Sequence, residues 1–423
     1  MAPAQGTSRE LRATLRLLGT RRFGTFWTAS LLSNIGTWAQ QVAEPWLLLG
    51  LGASPFLIGL DSFAMNAPVW VLTLVGGVLA DRSDRRRVIA VCQSLQMLCP
   101  TLIAVLLLTS SVRPALIIVL SLVVGITDAL SMPSFQSIVP TIVPRKQIAR
   151  GLALNSTQFN LSRILGPAIA GMLMASVGAI ACFALSAASY IPFIGVALWI
   201  LPRGVLAATP GEPWDRRHPF AGLRQIAMAP MLQGALLTVF TTGLLCSPLI
   251  TFVPVLVTTG FGGNAAHFST AVGAFGVGGL LGAIVLVAIP EAQDRRRWSS
   301  WLGAFYGVVV VLTALVPWFW GLVVLMVLAG AAMTVSNTSA NSILQSETSP
   351  RLLGQAASLY LLAIHGGLSL GSLLTGLSVG LLGVRHALLL SGLVAVIAHV
   401  LVFRSWSRAG RSASIQSTPA GAS

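Results

Sequence analysis

Long apolar runs follow one another along this chain with only short polar breaks between them. A helix crosses the hydrocarbon core of a bilayer in about 20 residues, because it rises about 1.5 Å per residue. Twelve such runs are legible, roughly residues 23–50, 56–80, 88–109, 115–133, 151–176, 179–201, 231–257, 267–289, 298–317, 319–340, 355–380 and 387–403. Only 9% of the residues are charged, where a soluble domain carries about 25%. That leaves too little polar surface to cover water-exposed globules. Disorder is excluded too, since it needs low hydrophobicity and 55% of this chain is hydrophobic. The expected fold class is an all-α integral membrane protein with twelve transmembrane helices in two six-helix halves.

The net charge of +15 points to membrane orientation and away from nucleic acid, because the basic residues sit in the breaks. The N-terminal tail, the even-numbered breaks and the C-terminal tail hold 23 of the 26 Lys and Arg residues. Arg113 and Arg385 fall on the other side, and Arg163 lies inside a run. The positive-inside rule then places both termini in the cytoplasm of a multi-pass inner-membrane protein. The expected organisation is a cytoplasmic tail (1–22), a first bundle (23–201), a cytoplasmic linker (202–230), a second bundle (231–403) and a second cytoplasmic tail (404–423). Within the linker, residues 220–228 suit a short surface helix. The first 22 residues lack the short apolar core and small-residue cleavage site of a secretory signal. Four cysteines fall in apolar runs and read as small buried hydrophobes.

The halves repeat. At an offset of 205, Ser137-Ile138 matches Ser342-Ile343, and Gly77, Gly166 and Gly171 match Gly282, Gly371 and Gly376. At an offset of 210, Asp84-Arg85-Arg86-Arg87 matches Asp294-Arg295-Arg296-Arg297. Parallel repeats of six helices are one organisation of secondary transporters.

The break after the second run reads Gly77-Val-Leu-Ala-Asp81-Arg82-Ser-Asp84-Arg85-Arg86-Arg87. Gly77 admits a neighbouring helix closely. Asp81 suits the orphan N–H groups of a helix N-terminus. Arg82, Arg85 and Arg86 suit carboxylates on adjacent helices. The stretch resembles the cytoplasmic loop motif of the major facilitator superfamily, with Asp84 standing where the family usually has Gly. Residues 26–40, 80–87 and 153–168 are similar to one efflux branch of that superfamily, which includes enterobactin-exporter-like and macrolide-efflux-like proteins. The resemblance implies two rocking six-helix bundles around a central cavity, with the loop motif as a gating latch. Gly166-Pro167 and Gly171 resemble, in part, the fifth-helix motif of drug/proton antiporters; ordinary small-residue packing is the alternative.

Ionised groups at membrane depth are costly unless paired or facing water. Four are candidates for proton or ion coupling: Glu44, Asp61, Asp128 and Arg163. By helical rise, Glu44 lies near the outer boundary, where solvent at the interface would carry it. Asp61 lies a little way in from outside, and Arg163 lies close to the midplane. Asp128 and Arg163 are close enough in depth to pair, and Asp128 also suits the latch arginines. Glu44 and Asp61 suit an outer carboxylate pair that shares a proton. Trp38, Gln40, Gln41, Asn155, Asn160 and His365 are cavity-lining candidates, with interhelical hydrogen bonding as the alternative.

Two G-x-S-x-G matches, at 367–371 and 376–380, lack any Asp or Glu after them to complete a hydrolase order. No phosphate-cradling G-x-x-x-x-G-K-[ST] motif and no metal-ligand motif is present. The sequence therefore predicts no enzyme, no cofactor and no metal. It predicts a proton-driven exporter of an amphipathic small molecule, siderophore or drug-like, working as a monomer by alternating access. Import of a nutrient by symport and a non-transporting membrane partner or sensor remain open alternatives at this point.

Overall fold

The computed structural model describes residues 16–144, 147–201, 226, 228–288, 294–348 and 352–416. Most of the linker and its expected surface helix lie outside the described residues. So do the side chains of Gly77, Asp81, Arg82 and Asn160. Among the described residues every regular element is helical.

The chain runs through α1 (Arg21–Gly50), α2 (Pro55–Asn66), α3 (Pro68–Arg82), α4 (Arg85–Leu108), α5 (Pro114–Ile142), α6 (Ile148–Ser176) and α7 (Ala179–Trp199). It continues through α8 (Pro230–Thr241), a π turn (Thr242–Cys246), α9 (Pro248–Val255) and a second π turn (Leu256–Gly260). The last elements are α10 (Ala265–Ala288), α11 (Arg295–Leu315), α12 (Phe319–Glu347), α13 (Leu353–Leu382) and α14 (Val384–Gln416). Several helices outrun their apolar cores. For example, α5 continues to Ile142 and α12 to Glu347, because polar residues at a membrane surface lengthen a helix at little cost.

Ten stretches among the described residues are long and apolar enough to cross a membrane. The expectation of twelve is met in length by two more helices, α1 with 30 residues and α6 with 29. Both fall short in hydropathy because they carry the polar load: Ser33, Gln40, Gln41 and Glu44 on α1, and Asn155, Gln158 and Arg163 on α6. Large apolar side chains point outward along the other helices, Leu381 at 84% exposed and Val71 at 72% among them. Trp199, Trp301, Trp318 and Trp320 are exposed near helix ends, as in the aromatic belts at membrane–water interfaces. The outward surface is thus built for lipid.

By contacts the chain divides into two compact units, residues 1–51 with 67–211 and residues 52–66 with 212–423. The division falls inside the second membrane segment, at Ala67, where Pro68 begins α3 without an N–H to give. In the first unit α1 packs on α6 and α7, α4 on α5 and α7, and α3 on α5. In the second unit α10 packs on α12, α11 on α12 and α14, and the first π turn on α13 and α14. The same pairing of helices thus recurs in the second half. Aromatic clusters close one end of each, with Phe26, Phe135 and Phe193 in the first unit and Tyr360 and Trp406 in the second.

The segment 52–66 joins the second unit because α2 lies along α13. A Cβ on Gly59 would meet the carbonyl oxygen of Ser372, so only glycine permits this approach. The G-x-S-x-G match at 367–371 has the same origin. Gly367 and Gly371 lie one turn apart inside α13, against the backbones of Phe240 and Leu244. A nucleophile elbow needs a strand–turn–helix, and this is a helix seam.

Arg385, at the start of α14, clamps helix ends. Its guanidinium donates to the carbonyls of Ala314 (3.0 Å), Val316 (2.9 Å) and Gly260 (3.1 Å) and lies 5.1 Å from the Phe261 ring centre. Carbonyls at helix ends have no intrahelical partner. Arg385→Ala should therefore lower stability by about 2–4 kcal/mol; a thermal shift in detergent indistinguishable from wild type would remove the clamp's role.

Candidate functional site

The first unit holds a buried relay of polar side chains across three helices. Ser33 Oγ on α1 donates to Gln93 Oε1 at 3.0 Å, and Gln93 Nε2 donates to Gln96 Oε1 at 2.6 Å. Gln96 in turn makes a side-chain hydrogen bond to the Asp128 carboxyl on α5. Gln93 and Gln96 stand one turn apart on α4, so both reach the same polar seam. Ser33, Gln93 and Gln96 are buried, and a buried amide without partners is expensive. The relay satisfies each member in turn and holds the carboxyl at its end. The Ser131 hydroxyl donates to the backbone carbonyl of Asp128 at 3.2 Å.

A second network lies along α1 and α7. Gln40 Nε2 donates to Glu44 Oε1 at 2.7 Å, and Ser186 Oγ donates to Gln40 Oε1 at 2.8 Å. Thr37 Oγ1 and the Tyr190 hydroxyl are 2.9 Å apart. Pro45 follows Glu44 inside the helix and leaves the Gln41 carbonyl without its usual donor. Glu44 is 1% exposed. The expectation that interfacial water would carry it is corrected here: the carboxyl is buried and bonded to the Gln40 amide one turn back.

The expected Asp128–Arg163 pair is also corrected. Among the described residues the two form no ion pair, and the Asp128 carboxyl is taken up by Gln96 on α4. Arg163 is 8% exposed, and among the described residues its guanidinium makes no hydrogen bond or ion pair. Close to it on α6, Gly166 lies against α1; a Cβ there would overlap Trp38 Cβ. Trp38 is half-buried and meets the Phe159 ring edge-on at 6.2 Å. Gln41 and Asn155 are half-buried, Pro167 lies within α6, and Gly171 is buried.

In the second unit, Asp61 is 3% exposed on α2. Its helix is tied to α13 by Ser62 Oγ, which donates to Ser372 Oγ at 3.0 Å. The Asn66 amide donates to the Ser62 carbonyl, which turns its Oδ1 toward His365 Nδ1 at 2.8 Å. An amide oxygen only accepts, so the His365 ring carries its proton on Nδ1 in this arrangement. Glu44 and Asp61 belong to different units.

At the breaks before α4 and α11 the charged repeats have matching jobs. Asp84 caps α4 by accepting from the Arg86 N–H at 3.1 Å, and Asp294 caps α11 by accepting from the Arg296 N–H at 3.1 Å. The acid standing where the resembled motif has glycine is thus an N-cap. Arg85 Nη1 reaches the Ser137 carbonyl at 3.4 Å, and Arg295 Nη1 reaches the Ser342 hydroxyl at 3.2 Å. Those serines are the pair matched at the 205-residue offset. Arg86 Nη1 also donates to the Leu198 carbonyl at 2.7 Å.

Partial burial alone would raise the Asp294 pKa, but hydrogen bonds from the Arg296 side chain and backbone, and the charges of Arg296 and Arg297, bring it below the ordinary value. Its contribution to stability is therefore present above the ordinary carboxylate range and fades as pH falls through the lowered value. Asp294→Ala should cost about 1 kcal/mol at neutral pH and less in acid. Thermal melts at two pH values check this, and an equal loss at both would remove the charge from the argument.

Gln93, Gln96, Tyr190 and Asn66 went unremarked in the sequence. The available signal was Gln-x-x-Gln inside the otherwise apolar run 88–109.

The transmembrane secretion effector family matches residues 13–420. The staphyloferrin A transporter of Staphylococcus aureus (strain NCTC 8325 / PS 47) is 25% identical over 392 residues, covering 89% of this chain and 94% of that protein. The enterobactin exporter EntS of Shigella boydii serotype 4 (strain Sb227) is 27% identical over 383 residues, covering 86% of each. Among solved structures, the nucleoside transporter NupG superposes with a TM-score of 0.66 at 14% identity, over 92% of this chain and 99% of that one. A bacterial homologue of the human lysosomal transporter Spinster, inward-facing and unoccupied, gives 0.67 at 16% identity, over 92% and 97%. At these identities the structures speak for the fold alone.

Proposed function

The chain belongs to the transmembrane secretion effector family of the major facilitator superfamily, a transporter lineage, and on that premise we propose that it exports a small siderophore-like molecule in exchange for protons. It is a multi-pass membrane protein, and its energy source in this reading is the proton gradient. Moving one charge through 100 mV is worth about 2.3 kcal/mol, on the order of 50-fold accumulation.

The observation that carries the reading is the Asp128 carboxyl at the end of the Ser33–Gln93–Gln96 relay. As a carboxylate at membrane depth, Asp128 needs donors, and Gln96 supplies one. A proton arriving from outside neutralises it and removes that need. Gln96 and Gln93 are then free to re-pair, and the change reaches α1 through Ser33. Release of the proton to the cytoplasm resets the relay. Asp61 and Glu44 are further carriers in the same reading.

Arg163 has a different part. A buried guanidinium that no described side chain neutralises suits an anionic, oxygen-rich ligand, because a fork of N–H donors matches carboxylate geometry. The siderophores for which the relatives are named, staphyloferrin A and enterobactin, favour a siderophore over a cationic drug. Trp38, Gln41 and Asn155 would complete the ligand's surroundings. The cytoplasmic motif Gly77, Asp81, Arg82, Asp84, Arg85 and Arg86 acts as the gate, and the chain works as a monomer with both termini in the cytoplasm.

The test uses a bacterial host that makes enterobactin and lacks its own exporter. Under iron limitation, expression of this chain should raise enterobactin in the medium at least tenfold, and a protonophore should abolish the gain. Accumulation of the same siderophore inside cells on expression would reverse the direction. No change in either compartment, with the protein present in the membrane, would end the siderophore reading.

A further inference from the structure

The second unit contains a buried titratable ring that the transport reading leaves idle. His399 on α14 has no solvent exposure. Its Nδ1 lies 2.8 Å from the Ala395 carbonyl, and its Nε2 lies 3.1 Å from Thr242 Oγ1, at the start of the first π turn. The Thr238 backbone also makes a hydrogen bond to the ring. Gly303 of α11 lies flat against it, where a Cβ would overlap the ring carbon Cδ2.

The hydrogens can be counted. A carbonyl only accepts, so Nδ1 carries a proton. Thr242 Oγ1 is also 2.9 Å from the Thr238 carbonyl. A threonine hydroxyl has one hydrogen, and here it has two claimants, the Thr238 carbonyl and Nε2. With the ring neutral, the hydroxyl donates to Nε2. With the ring charged, Nε2–H donates to Thr242 Oγ1 and the hydroxyl swings to the Thr238 carbonyl. Both states satisfy every group, and they differ by one proton and one hydroxyl rotation.

The first unit has the matching arrangement. Thr37, at 242 − 205, bonds the carbonyl of Ser33, at 238 − 205, and meets the Tyr190 hydroxyl on α7. The repeat therefore places a ring against this threonine in both halves, and only in the second half is that ring an imidazole, with a second nitrogen able to take up a proton.

We propose that His399 is a proton-binding site of the second unit, read out by rotation of the Thr242 hydroxyl at the π turn. A π turn carries a looser ladder than an α-helix and is frequent at functional sites. The remaining titratable groups on the elements packed around α14 are Cys246 on the π turn, Arg295, Arg296, Arg297 and Tyr306 on α11, and Tyr360 and His365 on α13. Along α14 itself stand Arg385, His386, Arg404, Arg408 and Arg411. None of these elements carries a carboxylate, so the imidazolium is stabilised by carbonyl and hydroxyl oxygens. Proton binding does not depend on the transport reading; only its use in coupling does.

The experiment is nitrogen NMR of ring-labelled histidine, with the full chain in nanodiscs of phosphatidylethanolamine and phosphatidylglycerol and no substrate. A variant carrying H218Q, H267Q, H365Q and H386Q leaves His399 as the sole signal. Nδ1 should stay protonated while Nε2 gains a proton in a single transition as the pH is lowered from about 8 to about 4. T242V removes an acceptor that serves the charged ring more strongly than the neutral one. It should lower the midpoint by about one unit, a tenfold loss of proton affinity. The same titration of the otherwise unaltered chain, with His399 identified by its absence in H399Q, covers misfolding of the fourfold variant. An Nε2 that never protonates in this range, loss of the Nδ1 proton instead, or a midpoint indifferent to T242V would overturn the proposal. Absence of siderophore export would leave this spectrum untouched, so the two readings fail separately.

Discussion

Replacing Asp128 with Asn should reduce uphill export from on the order of 50-fold accumulation to none. The amide keeps the volume and a hydrogen bond to Gln96, so the α4–α5 seam remains filled. It cannot bind or release a proton, so in the proposed exchange each transport cycle loses its coupled charge. Downhill movement and exchange of labelled siderophore across the membrane should persist, because they need the cavity and not the gradient. Everted vesicles loaded by an imposed pH gradient separate the two. Uphill uptake by Asp128→Asn at the wild-type level would transfer the coupling role to Asp61 or Glu44. Gln96→Leu should behave as a weaker version. It leaves the carboxylate without its amide donor, and it should slow export several-fold while retaining accumulation.

Gly166→Leu should be strongly damaging to the first unit. A Cβ at 166 already overlaps Trp38 Cβ, and Ile35 O stands 3.3 Å away. The clash is with a side-chain root and a backbone oxygen, neither of which swings aside. Overpacking of this kind costs about 1–3 kcal/mol or more, and here it would part α6 from α1 beside Arg163. The expected result is loss of the monodisperse peak in detergent and of all export. Gly380→Ala is the control, since a Cβ at that position meets nothing within 4 Å. Equal stability of the two variants would remove close packing as the reason for glycine at 166.

Much of this architecture is legible in the residues. Span lengths, the 23:2 split of basic residues and the repeated Asp-Arg-Arg-Arg each follow from local physics, namely helical rise, membrane orientation and helix capping. The two spans that hydropathy alone misses, α1 and α6, are visible as helices of full length loaded with polar residues. Glu44 shows the limit of depth arithmetic. Counting residues places it near the water boundary, yet it is buried and bonded to Gln40. The Asp128 partner shows the same limit. Depth is additive along a helix and readable from sequence, whereas the azimuth that faces Asp128 toward Gln96 and away from Arg163 depends on how α4, α5 and α6 rotate against one another.

The amino-acid order alone determined that this chain lives in a bilayer, that its basic residues gather in alternate breaks, and that its halves repeat. Those properties follow from apolar length, charge placement and repetition, which act locally. Only the tertiary structure decided that the segment 52–66 packs with the second unit, that a glutamine relay ends on Asp128, and that His399 meets Thr242 across 157 residues. Such pairings are set by close packing of glycine seams and by the need to satisfy each buried polar group. Both are conditions on the whole packed unit, and no single stretch of sequence contains them.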